Sequence, residues 1–263
     1  MNIFYRELKA NRKALIIWSI CMILLVVSGM GKYTAYSSGA NSEVFEKMPY
    51  TMKALLGFGA FDVTTVSGFY AFLYPYLAIT AAVHAVLIGS GIIAKEERDK
   101  TTEFLMVKPV SRNTILTSKL LAALVNVIIM NIAALISSIA VVSAYSKGKD
   151  VTGEVLMFML SMFFVQLIFL SLGAFISAVI RNSKASGSLS AGILFAAYVV
   201  SKVTDLTDKV NALNIFSPFK YFSYEKIVNG NGLSITIAAL SLLLAVVLSA
   251  SSYFFYMKRD LNV

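Results

Sequence analysis

Few side chains in this sequence could do chemistry, and their spacing excludes most kinds. His84 is the one histidine and Cys21 the one cysteine among 263 residues. One histidine cannot supply a histidine-based metal-ligand set, and a lone cysteine makes no disulfide within the chain. A phosphate-cradling loop has the form G-x-x-x-x-G-K-[ST]. Gly31-Lys32 and Gly148-Lys149 are followed by Tyr33 and Asp150 and lack the first glycine, so the chain does not bind ATP in that way. What remains is four polar side chains in apolar surroundings (His84, Asn126, Asn131 and Gln166) and one dense charged stretch. Lys95 to Arg112 carries nine charges in 18 residues.

The elements that must position these groups are apolar. The chain is 58% hydrophobic and 14% charged, with a mean hydropathy of +0.76, whereas soluble domains carry about 25% charged residues. This composition is that of an integral membrane protein. A helical span needs about 20 apolar residues. Six runs qualify: Ala14–Gly31, Phe69–Ala94, Ile115–Ala144, Val155–Ile180, Leu189–Val203 and Ser234–Met257. Barrel strands are shorter and alternate apolar with polar residues; these runs do not. The expectation is a single all-α membrane domain over residues 1–263 with six transmembrane helices. Residues 1–13 read as an interfacial helix, with Ile3, Phe4 and Leu8 on one side and Arg6, Lys9 and Arg12 toward the other. The same start followed by Ser38-Gly39-Ala40 also has the outline of a cleaved signal peptide.

Charge sets the orientation. With the N-terminus inside, the inner segments hold 14 Lys and Arg and the outer ones 9; the acids divide 6 and 8. Cytoplasmic loops carry the basic excess, so both termini and the Lys95–Lys119 segment are expected in the cytoplasm of a multi-pass cell-membrane protein. The formal net charge of +9 then reflects topology, and no basic patch with interleaved aromatics argues for nucleic acid.

The polar groups have two readings each. An ionisable group inside a membrane marks a functional site, yet a neutral His84 bonded to a neighbouring helix is equally a structural element. Asn126, Asn131 and Gln166 either hydrogen-bond between helices or line a substrate path. Gly89-Ser90-Gly91 reads as close helix packing. Tyr70, Tyr74 and Tyr76 beside Pro75, which kinks or starts its helix, and Tyr221, Phe222 and Tyr224, read as interfacial aromatic belts. Lys202, Asp205, Asp208 and Lys209 read as a solvated cap. Glu96 to Val107 reads as a short helix. Acids crowd its first turn, Glu96 and Lys100 pair at i,i+4, Pro109 ends it, and Ser111 or Asn113 caps the next span. So short a helix is marginal in water and needs something to dock against, unless the segment is merely a solvated hairpin.

The stretch KEERDKTTEFLMVKPVSR (Lys95–Arg112) resembles the loop between the second and third spans of type-2 ABC transporter permeases. The resemblance rests on Glu96, Glu97, Thr101 or Thr102, Glu103, Phe104, Leu105 and the run Pro109 to Arg112. IFSPFKYF (Ile215–Phe222) before the last span is a second match, and the six-span plan with a re-entrant or helical segment between spans five and six is a third. Many members carry Gly where this chain has Lys100. The resemblance implies that residues 96–107 are a cytoplasmic coupling helix, seated in a groove of a separate ATP-binding subunit. Glu96, Glu97, Lys100, Thr101, Glu103, Phe104 and Leu105 would make that contact, with a lesser one from Arg181. It also implies two copies of a cytosolic ABC ATPase holding ATP and Mg, a second permease copy (the same chain or a paralogue), and export of an amphipathic or hydrophobic compound. That compound would be a peptide antibiotic, drug or lipid, taken across or out of the membrane. No cofactor and no metal is expected in this chain, and it is expected to be a transport subunit rather than an enzyme.

Rival classes fit less well. An intramembrane metalloprotease that uses a Glu-Glu pair has Arg four residues on, where this chain has Thr101, and needs further histidines. A secondary transporter needs acids within its spans for ion coupling, typically with broken helices, and no Asp or Glu lies in the middle of any run. A structural membrane subunit without transport remains the bland alternative.

The orientation is directly testable. In a Cys21→Ser background, Lys100→Cys should resist a membrane-impermeant thiol reagent in intact cells, whereas Ser42→Cys should react. The reverse pattern would place the charged loop on the wrong side for any cytosolic partner.

Overall fold

In hydrocarbon every backbone N–H and C=O must be satisfied within the protein, so long apolar runs have to become helices. A computed structural model describes residues 3–37, 49, 52, 62–98, 110–180 and 182–258. Its helices are α1 (Ile3–Met30), α2 (Tyr33–Ser37), α3 (Val66–Arg98), α4 (Arg112–Tyr145), α5 (Thr152–Val179), α6 (Ser183–Leu206), α7 (Tyr224–Val228) and α8 (Ile235–Lys258). Two 3-10 segments, Asp208–Phe216 and Pro218–Lys220, join α6 to α7. Six helices (α1, α3, α4, α5, α6 and α8) are long and apolar enough to cross a membrane, and the described residues contain no strand. The protein is an all-α multi-pass membrane protein.

Three helices differ from expectation at their ends. No separate element precedes the first span: residues 3–13 continue into α1, because no Gly or Pro interrupts the chain before Gly29. The side expected to face the membrane surface instead packs inward, with Ile3 against Ile115. Helix α3 runs past Ala94 through good helix formers to Arg98, so Glu96 and Glu97 lie in its last turn rather than opening a new helix. The rest of the expected coupling helix, residues 99–107, lies outside the described residues. Helix α4 begins at Arg112, where the Ser111 hydroxyl caps it by accepting from the Thr114 N–H at 3.2 Å.

The α3–α5 contact is the most extensive in the bundle. Helix α8 packs on α5, α6 on α3, and α1 on α4. Small residues let the two central backbones touch: a Cβ on Gly89 would sit 2.2 Å from the Leu170 carbonyl oxygen, and one on Gly173 would sit 2.5 Å from that of Val86. Gly91 is unlike Gly89. A Cβ there would meet nothing within 4 Å.

The aromatic residues also depart from the expected belt. Tyr70 and Tyr74 share a helical face at i,i+4 and are buried in the bundle. The Tyr70 hydroxyl donates to Ser138 Oγ at 2.7 Å, and the Tyr74 and Ser161 hydroxyls bond at 2.6 Å. Tyr76 lies on another face and is 41% exposed. Pro75 sits inside α3 rather than at its start.

The segment after α6 folds back onto the bundle. Ser217 donates its hydroxyl to the Ala197 carbonyl at 2.8 Å, and Phe219 packs between Phe169 and Tyr198. Phe222 stacks on Phe164, and Tyr224 meets Tyr74 edge-on at 5.0 Å. Burial pushes the Tyr224 phenol well above its ordinary pKa, and its O–H donates to the Phe219 carbonyl at 3.1 Å. Asp205 is only partly solvated, because it pairs with both Lys202 and Lys220 and so ties the end of α6 to this segment.

Gly89→Ala should force α3 and α5 apart and cost about 1–3 kcal/mol, the usual price of overpacking. Gly91→Ala should cost nothing. The measurement is thermal unfolding in detergent; equal melting of Gly89→Ala and wild type would refute the backbone contact.

Candidate functional site

Three helix ends meet where the chain leaves for residues 99–109, and they carry a buried charged cluster. Glu7 of α1 is 1% exposed. Its Oε1 accepts from Arg6 Nη2 at 3.2 Å, and its Oε2 lies 4.0 Å from Lys95 Nζ on α3. Asn11 donates its side-chain amide to the Glu7 carbonyl at 3.0 Å. From α4, the buried Lys119 donates its ammonium to the Ile92 carbonyl at 2.6 Å, one turn before Glu96. Arg112 donates to the Met257 carbonyl at 3.3 Å and so joins α4 to the end of α8. A buried charge that loses its partner costs about 3–5 kcal/mol, so these contacts hold α1, α3 and α4 in register at the base of the charged loop.

Of the residues assigned to the loop contact, Glu96 and Glu97 belong to the last turn of α3. Lys100, Thr101, Glu103, Phe104, Leu105 and Arg181 lie outside the described residues. Sequence reasoning passed over Glu7 and Lys119. The signal for Glu7 was present: it is the one acid before Glu43, four residues after Ile3 and therefore on that residue's inward face.

The four polar residues of the spans separate into two pairs. Asn131 of α4 donates to Gln166 Oε1 of α5 at 2.9 Å and to the Met159 carbonyl at 3.3 Å. That pair is an interhelical clamp. His84 and Asn126 instead line a pocket of about 320 Å³ between α1, α3 and α4, with Asn11, Trp18, Gly91 and Lys95 among its other walls. Trp18 packs on the His84 ring with centroids 5.7 Å apart. Asn126 donates to the Ala122 carbonyl at 2.7 Å, but its Oδ1 is buried with no hydrogen-bond partner among the described residues, and so is His84 Nδ1.

A larger cavity of about 580 Å³ lies between α4, α5 and α8. Its walls are mostly Leu, Val and Ala, interrupted by the Ser171–Ser249 hydroxyl pair at 3.0 Å and the Thr117–Tyr253 pair at 2.8 Å. Apolar walls with a few hydroxyls suit hydrocarbon rather than catalysis. Among the described residues, no three His, Cys, Asp or Glu side chains come together as a metal site would require.

The described residues form a charge-locked end, at least two cavities and a bundle of apolar helices. No curated protein matches the chain. Residues 1–261 match the family described as ABC-2 family transporter protein. Sequence motif, six-helix architecture and a match over nearly every residue agree, and the chain therefore belongs to the ABC-2 transporter family as a membrane-embedded permease subunit that partners an ABC ATPase.

Proposed function

We propose that this permease serves an ATP-driven exporter that moves an amphipathic or hydrophobic compound, such as a peptide antibiotic, drug or lipid, across or out of the cell membrane. Two permease copies, identical or paralogous, enclose the path, and two cytosolic ATPase subunits hold the ATP and Mg. Both termini lie in the cytoplasm. The observation that carries this reading is the charge-locked end of the bundle. Glu7, Lys95 and Lys119 fasten α1, α3 and α4 together immediately beside residues 99–109, so a push on that loop is delivered to three membrane helices at once.

In this mechanism residues 96–107 dock in a groove of the ATPase. Phe104 and Leu105 anchor the contact, while Glu96, Glu97, Lys100, Thr101 and Glu103 fix its register, with Arg181 touching the same partner. Nucleotide-driven closure moves the end of α3, and the Glu7–Lys95 and Lys119–Ile92 contacts carry that motion into α1 and α4. The substrate path borders the polar residues His84, Asn126, Asn131 and Gln166.

Burying an apolar side chain such as Phe104 or Leu105 contributes about 1.5–3 kcal/mol, whereas an exposed ion pair gives about 0–1 kcal/mol. Phe104→Ser with Leu105→Ser should therefore abolish co-purification of the ATPase and substrate-stimulated ATP hydrolysis, and Lys100→Ala should have a smaller effect. Glu103→Lys should also weaken the complex by setting a base against the partner's base. Normal complex formation by the double variant at normal expression would refute the docking role. A second measurement addresses the energy source: reconstituted alone, the chain should hydrolyse no ATP, and robust hydrolysis would overturn the reading.

A further inference from the structure

The 320 Å³ pocket between α1, α3 and α4 asks for a ligand of definite chemistry. It reaches from Asn11 and Lys95, near the charged cluster, to Trp18, His84 and Asn126. His84 and Lys95 are eleven residues apart on α3, roughly 16 Å along a helix. The deep end holds two polar atoms without partners, Asn126 Oδ1 and His84 Nδ1, in side chains only 1% and 4% exposed. A carbonyl oxygen such as Asn126 Oδ1 accepts only, so its partner must bring an N–H or O–H. A buried polar group left unpaired is unfavourable, and a matching ligand removes that penalty. The shallow end holds the Lys95 ammonium, whose carboxylate neighbour Glu7 stands 4.0 Å away, beyond hydrogen-bond distance. Between the ends the walls include Leu15, Ile88 and Ile92.

We propose that this pocket binds the polar end of an amphipathic anion. Its carboxylate or phosphate meets Lys95, an amide or hydroxyl donor further along meets Asn126 and His84, and its hydrocarbon leaves past Leu87. A purely apolar ligand leaves the deep polar atoms unsatisfied. An organic cation meets the ammonium head-on, and an inorganic anion has no apolar part to set against the hydrocarbon walls. At about 320 Å³ the pocket is at the small end of ligand pockets, which run from about 300 to 1,000 Å³. Leu87, in the wall and 42% exposed, marks where a tail emerges between helices. The inference deepens the path proposed above at two of its four residues and rests on that reading only for the consequence that the bound molecule is cargo. Its test reads binding without any ATPase, so its failure and the failure of ATP-driven export are distinguishable.

Gly91 lines the pocket and has free space for a side chain, so a thiol there reports occupancy with every proposed contact intact. The full chain carrying Cys21→Ser and Gly91→Cys, in phosphatidylcholine nanodiscs, is treated with an anionic methanethiosulfonate reagent. Gly91→Cys should react, while Ile129→Cys, on a face 43% exposed outside the pocket, should not. Dodecanoyl-diglycine should slow the Gly91→Cys reaction about tenfold at roughly ten times its Kd, and dodecyltrimethylammonium should not. Slowing by phosphatidylglycerol in the nanodisc instead identifies bilayer lipid as the source of the same anionic chemistry. Adding Asn126→Ala or Lys95→Gln should remove the protection, read for each variant as the ratio of its own protected and unprotected rates, because Lys95 also attracts the anionic reagent. Glu7 keeps its contact with Arg6 at 3.2 Å when Lys95 is replaced, so Lys95→Gln keeps the test sound where Asn126→Ala folds poorly. No reaction at Gly91→Cys, protection by neither anion, equal protection by the cation, or protection that survives both variants would overturn the site.

Discussion

The contact between α3 and α5 is the constraint on which the rest of the bundle rests. Lipid tails are as apolar as leucine, so no hydrophobic force draws two such helices together; association depends on close packing and hydrogen bonds between helices. Gly89 and Gly173 remove the side chains that would keep the backbones apart, and Ala81, Ala82, Ala85, Ala174 and Ala178 keep that flank of the core small. The Tyr70–Ser138 and Tyr74–Ser161 bonds then fasten α3 to α4 and α5 through hydroxyls that have no water to turn to. Helices α6 and α8 attach to this pair, and the segment holding Ser217 and Phe219 folds back against it.

A second kind of interaction governs the end of the bundle that bears the charged loop. There the contacts are ionic rather than steric, and their strength depends on how far water is kept out. Glu7 and Lys119 are as buried as the apolar core, which makes their partners obligatory. The pair α3–α5 is held by steric fit, and α1, α3 and α4 are held together at this end by charge. The polar pocket lies directly beside that joint, so motion of α3 relative to α1 alters both together.

The two cavities differ in the same terms. The one between α4, α5 and α8 has hydroxyls that already satisfy each other and walls that lipid can wet. The one between α1, α3 and α4 has polar atoms left over. Unspent hydrogen-bonding capacity inside a membrane is costly, and at His84 and Asn126 it borders a pocket.

Much of this was legible in the residues. Run length and charge determined an all-α protein with six spans. The order of residues from Glu96 to Arg112 pointed to the transporter family, and the Ser111 cap followed from local hydrogen bonding. These properties are local or additive: a run of twenty apolar residues is helical in lipid whatever surrounds it. Facing direction was not legible. Tyr70 and Tyr74 have the composition of an interfacial belt and became core, because only the neighbouring helices supply Ser138 and Ser161. Glu7 has the look of a solvated charge and became buried, because Lys95 lies 88 residues away in sequence and 4.0 Å away in space. His84 and Asn126 could not be told from Asn131 and Gln166, since all are polar residues in apolar runs. Whether such a side chain finds a partner on the next helix, as Asn131 does, or is left facing a cavity, as Asn126 is, depends on helix rotation and crossing. Those are set by the packing of the whole bundle, and only the tertiary structure decided them.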